Sequence, residues 1–145
     1  MRIRSLVVLA LVAAVAPACR KKDEVQVPKE DIPREIAVGN LRTLLPTCAQ
    51  VYCTLPKDTL SQSEIKEWVI GNDGFEIRPT KAKPIALNYA DITSTRVEKS
   101  GTKYFYLKLF TTIQKDAGKE HFYFMWPVEE SARNAYQLFE SVRKK

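Results

Sequence analysis

The sequence predicts an α+β domain, mainly β, preceded by a short N-terminal helical segment and closed by a C-terminal amphipathic helix. Three observations predict it. Between residues 66 and 126, short runs of apolar residues at strand spacing are separated by turn signals. From Val128 onward the apolar spacing lengthens to that of a helix. Ahead of the strands, Leu41, Leu44, Leu45 and Cys48 recur at helical spacing.

The segment 33–53 reads as one or two short helices, interrupted by Gly39-Asn40 and broken near Pro46, whose ring clashes with the preceding turn and which has no N–H to donate. From Lys66 the pattern is that of strands. Trp68-Val69-Ile70 faces Phe75-Glu76-Ile77-Arg78 across Gly71-Asn72-Asp73-Gly74, a strong hairpin signal. A short helix from Ser61, with Glu64 completing a capping box, competes for the start of that strand. Ile85, Leu87 and Tyr89 alternate in the next strand, and Thr93 to Glu98 continues it or begins another. Ser100-Gly101 is a turn. Tyr104 to Thr112 is the longest strand, with Phe105, Leu107 and Leu109 on one apolar face. A polar loop, Lys115 to Lys119, leads to Phe122–Trp126, apolar on both faces. Val128, Ala132, Ala135, Tyr136, Phe139 and Val142 then share one helical face. Glu129 and Glu130 open this helix and Arg143 and Lys144 close it, each charge complementing the helix dipole.

Ahead of the domain stands a different kind of segment. Arg2 and Arg4 precede an uncharged stretch from Ser5 to Ala16, followed by Pro17, Ala18 and Cys19. Basic, apolar and small regions in that order form a secretory signal. The run falls short of the about 20 apolar residues that a membrane-crossing helix needs. Ala16-Pro17-Ala18-Cys19 resembles the lipobox of bacterial lipoprotein precursors, with Ala16 where leucine is usual. The resemblance implies cleavage before Cys19 and a diacylglycerol thioether on its sulfur, chemistry that serine cannot replace. It also implies the membrane as a partner through the lipid, since each buried methylene contributes about 0.8 kcal/mol. Arg20 stands where enterobacterial lipoproteins retained in the inner membrane carry aspartate, which favours the outer membrane. The expected organisation is a signal peptide over 1–18, a lipidated tether over 19–32 and one globular domain over 33–145, with residues 20–31 too charged to bury much.

The chain has 145 residues and a net charge of +6, with Arg2 and Arg4 inside the leader. Such mild, dispersed basicity suits anionic headgroups or cell-wall polymers and does not argue for nucleic acid. Cys48 and Cys53 form an even pair in an exported chain, so a local disulfide is expected. Their C-x4-C spacing is not that of a redox C-x-x-C motif.

A run of antiparallel strands closed by a single C-terminal amphipathic helix resembles the pleckstrin-homology-like superfold. The segment PIALNYADITSTRVEKSGTKYFYLKLFTT is similar to bacterial members, and the resemblance covers about residues 64–145. It implies a partly open antiparallel barrel or sandwich with the helix plugging one end. Lipid-binding members hold phosphates with cations in the first hairpin loop. Here that loop is Gly71-Asn72-Asp73-Gly74, so phosphoinositide binding does not carry over. The competing architecture is an α+β roll with its helix on a curved sheet.

No catalytic, metal or cofactor motif stands out. His121 is the single histidine and no nucleophile motif accompanies it. Arg78, Lys81, Lys83, Arg96, Lys99 and Lys103 either gather into a basic surface or lie dispersed in solvent. Tyr104, Tyr106 and Phe110 line the second face of the longest strand and, with Tyr123, are the candidate binding residues. Burial beneath the 33–53 segment is the competing expectation for them. The functional expectation is a membrane-anchored, non-catalytic binding or scaffold module for an envelope protein or ligand. An envelope-localised enzyme or enzyme subunit is the alternative.

Overall fold

The structure is a computed structural model describing residues 23–54, 57–115 and 118–143. The leader, Cys19 and residues 20–22 lie outside them, as does Lys144. A two-residue strand β1 (Glu24–Val25) precedes helix α1 (Arg34–Leu44) and a 3-10 turn (Leu45–Thr47). Strands β2 (Gln50–Thr54) and β3 (Lys57–Ser61), a second 3-10 turn (Gln62–Glu64), β4 (Ile65–Ile70), β5 (Gly74–Pro79) and β6 (Ile85–Asn88) follow. A third such turn (Tyr89–Asp91) leads to β7 (Ile92–Ser100), β8 (Tyr104–Lys115), β9 (Gly118–Trp126) and helix α2 (Glu129–Arg143).

The strands form two antiparallel sheets, one of six strands in the order β1-β7-β8-β9-β2-β3 and one of three in the order β4-β5-β6. Both sheets are open. The molecule is therefore α+β and mainly β, with its final helix where the period change places it. Alternation decides which side chains meet. Val97, Leu107, Leu109, Phe122, Phe124 and Val51 turn inward from the large sheet and are buried, opposite Phe75, Ile77, Ile85 and Leu87 of the small one. Phe75 meets Phe122 and Phe124 edge-on at 5.6 and 5.8 Å between centroids, which joins the two layers.

Turn chemistry sets the register. Gly71 donates to the Gly74 carbonyl at 2.9 Å and closes the β4–β5 hairpin. A Cβ on Gly74 would run into the Leu87 carbonyl of β6, so the close approach of these strands requires glycine there. Gly101 takes φ +64° in the β7–β8 turn, a left-handed conformation that glycine adopts without strain. The two readings of residues 61–70 are both right. The Glu64 carboxylate accepts from the Ser61 N–H at 3.1 Å and hydroxyl at 2.9 Å, but only one turn of helix forms before β4 begins. Thr93 to Glu98 belongs to a new strand, because the 3-10 turn at Tyr89 intervenes. Tyr89 is nonetheless fully buried and its hydroxyl donates to the Gly71 carbonyl at 2.9 Å.

The structure corrects four expectations. Helix α1 runs through Gly39-Asn40, and the helical segment ends at Thr47, so residues 50–54 are a strand that pairs with β9 (Val51 with Phe124, Tyr52 with Tyr123). The sheet core thus begins well before residue 64. Cys48 and Cys53 are both buried and no disulfide joins them. Cys48 ends the 3-10 turn, whereas Cys53 lies three extended steps along the strand that starts at Gln50, and three such steps cover about 10 Å, while bridged Cα atoms lie within about 7 Å. Burial pushes the Cys48 thiol up to about 12 against its backbone hydrogen bonds. The expected tether is not loose from Asp23 onward. β1 pairs with β7, Val25, Val27 and Ile32 pack on the core, and the carbonyls of Pro28 and Glu30 accept from Gln137 and Ser141 of α2. Finally, α2 is buried more widely than one stripe: Leu138, Glu140 and Ser141 are covered as well, because α1 and residues 28–32 pack beside it. Val128, at the start of the expected stripe, precedes the helix and is 53% exposed.

Glu140 is the charged member of that extra cover. Its carboxylate accepts from the Thr95 hydroxyl at 2.5 Å and from Arg143 Nε at 2.6 Å, and Lys29 Nζ lies 3.5 Å away. Helix, large sheet and N-terminal segment meet on one anion.

Two predictions follow from this packing. Phe139 is fully buried, and Phe139→Ala should cost about 3–5 kcal/mol, whereas Asn134→Ala on the exposed side should cost less than about 0.5 kcal/mol. Paired urea melts check this, and comparable midpoints would contradict it. Burial works to raise the Glu140 pKa, but hydrogen bonds from Arg143 and Thr95 and the charges of Arg143 and Lys29 outweigh it, so the group sits below the ordinary 4.5. A lowered carboxylate stabilises the fold fully above its unfolded pKa and loses that contribution as pH falls through the folded one. Glu140→Gln should therefore flatten the loss of stability below about pH 4.5 while lowering stability near neutrality by about 1–3 kcal/mol. Denaturation midpoints across acid and neutral pH provide the measurement.

Candidate functional site

Residues that alternate with the buried ones necessarily face away from the core. On the large sheet they line up across strands. One row runs Glu98 (β7), Tyr106 (β8), Met125 (β9), Gln50 (β2) and Ser61 (β3); the next runs Arg96, Lys108, Tyr123, Tyr52 and Thr59. A third brings Ser94, Phe110 and His121 together. Among the described residues no helix lies over this face, because α1 packs against α2 and β4, and α2 packs on the inner side. The candidate residues Tyr106, Phe110 and Tyr123 are half-buried by one another and by their neighbours, and Tyr104, at the end of the face, is 43% exposed. The expectation of burial beneath the 33–53 segment is overturned: that segment supplies a sixth of the sheet's strands, β2, and adds Tyr52 to the face.

The face is held in one arrangement by electrostatics. Glu98 lies 2.7 Å from Arg96 Nε and 2.8 Å from Lys108 Nζ. Anchored there, the Arg96 guanidinium sits 4.8 Å from the Phe110 ring centre and the Lys108 ammonium 4.5 Å from that of Tyr123. Each cation is attracted to the negative face of its ring, worth about 0.5–1 kcal/mol at an exposed site. Tyr52 packs on Tyr123 at 5.4 Å, and the His121 ring meets Phe110 edge-on at 4.6 Å. The His121 backbone N–H donates to Thr54 Oγ1 at 2.9 Å.

Toward the β7–β8 turn the face dips into an open depression of about 550 Å³, lined by Tyr52, Tyr106, Tyr123, Lys108, Gln50 and Thr59, with Asp23, Glu98 and Lys99–Gly101 at its edge. Ring faces, two kinds of charge and neutral amide and hydroxyl groups all point into one volume. That combination suits adhesion to a partly polar, partly apolar surface. Among the described residues, no group of three or more His, Cys, Asp or Glu side chains could hold a metal ion, and no helix is long and apolar enough to cross a membrane.

Sequence reasoning found Tyr104, Tyr106, Phe110 and Tyr123 but missed Tyr52, Lys108 and Glu98. Gln50-Val51-Tyr52-Cys53-Thr54 does alternate, but five residues beside a helical run give a weak strand signal. The six basic residues do not gather into one surface. Arg78 is on the small sheet, paired with Glu67 at 3.0 Å and Glu76 at 3.2 Å, while Arg96 belongs to the large one. No protein-family model matches the chain, and no curated protein matches it.

Proposed function

We propose that this chain is an exported lipoprotein, cut before Cys19 and lipidated there, whose domain is a non-catalytic binding module of the pleckstrin-homology-like kind. It receives an envelope partner on the outer face of its large sheet. The observation that carries the reading is that face itself: an uncovered aromatic row, its cations fixed in place by Glu98, beside a depression with mixed polar lining. A sheet face that served only to shed water would have no need of five aromatic side chains. The architectural part is supported by two facing open sheets with the last helix inserted against both. Phosphoinositides are not the ligand expected. The Gly71–Gly74 loop lacks a cation, and its carbonyls are engaged by Tyr89 and Arg34.

The experiment has two arms. Cys19→Ser should abolish incorporation of a clickable fatty acid, and undiminished incorporation would remove the lipoprotein reading. A photo-crosslinking residue at Tyr52 or Tyr123 should give a discrete adduct in intact envelopes, and one at Lys66, exposed on the small sheet, should give none. Equal adducts at all three positions, or none at the tyrosines, would remove the binding face.

A further inference from the structure

The lipid proposed on Cys19 has consequences for how the domain stands. Four residue steps separate Cys19 from Asp23, and a fully extended chain covers at most about 14 Å in four steps. Asp23 is not free to swing. Its carbonyl accepts from the Lys99 N–H at 2.9 Å, and the next two residues pair with β7, Glu24 with Glu98 and Val25 with Val97. The leash therefore ends at one defined place, beside the turn that joins β7 to β8.

That end has the composition of a surface that meets headgroups. Lys99 and Lys103 are exposed on it, and Arg20, Lys21 and Lys22 occupy the leash, against the two acids Asp23 and Glu24. Glu98, across from Glu24 on β7, is taken up by Arg96 and Lys108. Tyr104 is the aromatic one among the exposed large hydrophobic side chains of the described residues, the others being Ile36, Val69 and Val128. Amphipathic rings settle at the membrane–water boundary, and clustered cations are drawn to anionic lipid.

We propose that the β7–β8 end of the domain rests on the bilayer, with Tyr104 at the boundary and Lys99 and Lys103 on anionic headgroups. This rests on the lipoprotein reading above and deepens it. The Gly71–Gly74 turn then points away from the membrane. It is tied by Tyr89 to the start of β7, and eight strand steps along β7 amount to about 26 Å. The aromatic depression, which has Lys99 to Gly101 on its rim, opens close to the membrane surface, so a partner must reach it along that surface.

Full-length lipidated protein in vesicles tests this. Nitroxide labels are placed on Thr102→Cys in the β7–β8 turn and on Asn72→Cys in the far hairpin; Cys48 and Cys53 are buried and do not compete for label. In phosphatidylethanolamine–phosphatidylglycerol vesicles, collisions of the Thr102 label with an aqueous nickel chelate should fall severalfold relative to the unlipidated Cys19→Ser protein in detergent-free solution, and those of the Asn72 label should not change. Lys99→Gln with Lys103→Gln should remove most of that protection in anionic vesicles. Mass spectrometry on the same sample reports the lipid. If Cys19 carries no lipid, the lipoprotein reading falls and this orientation falls with it. If Cys19 is lipidated and the two labels are equally accessible to the chelate, the orientation alone is overturned. Protection that survives the double substitution overturns the role of the headgroups.

Discussion

The ring of Phe139 touches Phe75 of the small sheet at 6.1 Å, Phe124 of the large sheet at 6.0 Å and Tyr89 of the turn between them at 6.2 Å. One side chain of α2 thereby meets both sheets and the turn between them. Neither sheet buries its inner face alone, and an open pair of sheets leaves a gap at the end that the helix fills. The same anchoring fixes the direction in which each strand presents its residues. Strand alternation ties the two faces together: because Leu107, Phe122 and Val51 must point at the Phe139 cluster, Tyr106, Tyr123 and Tyr52 must point out.

Much of this was legible in residue spacing. The stripe from Ala132 to Val142 defined α2, and Gly71-Asn72-Asp73-Gly74 and Ser100-Gly101 located two hairpins, because turn geometry and helical period are local properties. The partnership of β2 with β9 was not legible. It joins residues about seventy positions apart, and nothing in Gln50–Thr54 names its neighbour. That one non-local pairing also decided the fate of the aromatic face, since residues 50–54 extend the sheet instead of covering it. The cysteine pair failed for a related reason. An even count suggests a bridge, but Cys48 ends a 3-10 turn while Cys53 lies along β2, and no bridge joins them.

The N-terminal segment shows how composition misleads when specific partners exist. Residues 23–32 are rich in charge and poor in large apolar groups, yet Val25, Val27 and Ile32 find the core, Lys29 reaches Glu140, and two main-chain carbonyls accept from α2. Each contact is small. Together they turn most of an expected leash into a strap along the domain, which shortens the span between Cys19 and the fold.

The central claim is that the outer face of the six-stranded sheet is open while Tyr89, of the same residue type, is sealed in the core. Hydroxyl-radical footprinting of the purified domain, read by peptide mass spectrometry, tests it most directly. Tyr104, Tyr106, Tyr123 and Tyr52 should be oxidised readily and Tyr89 should be spared until the protein is unfolded. Protection of the four outer tyrosines in the isolated domain, or oxidation of native Tyr89 at their rate, would contradict the account.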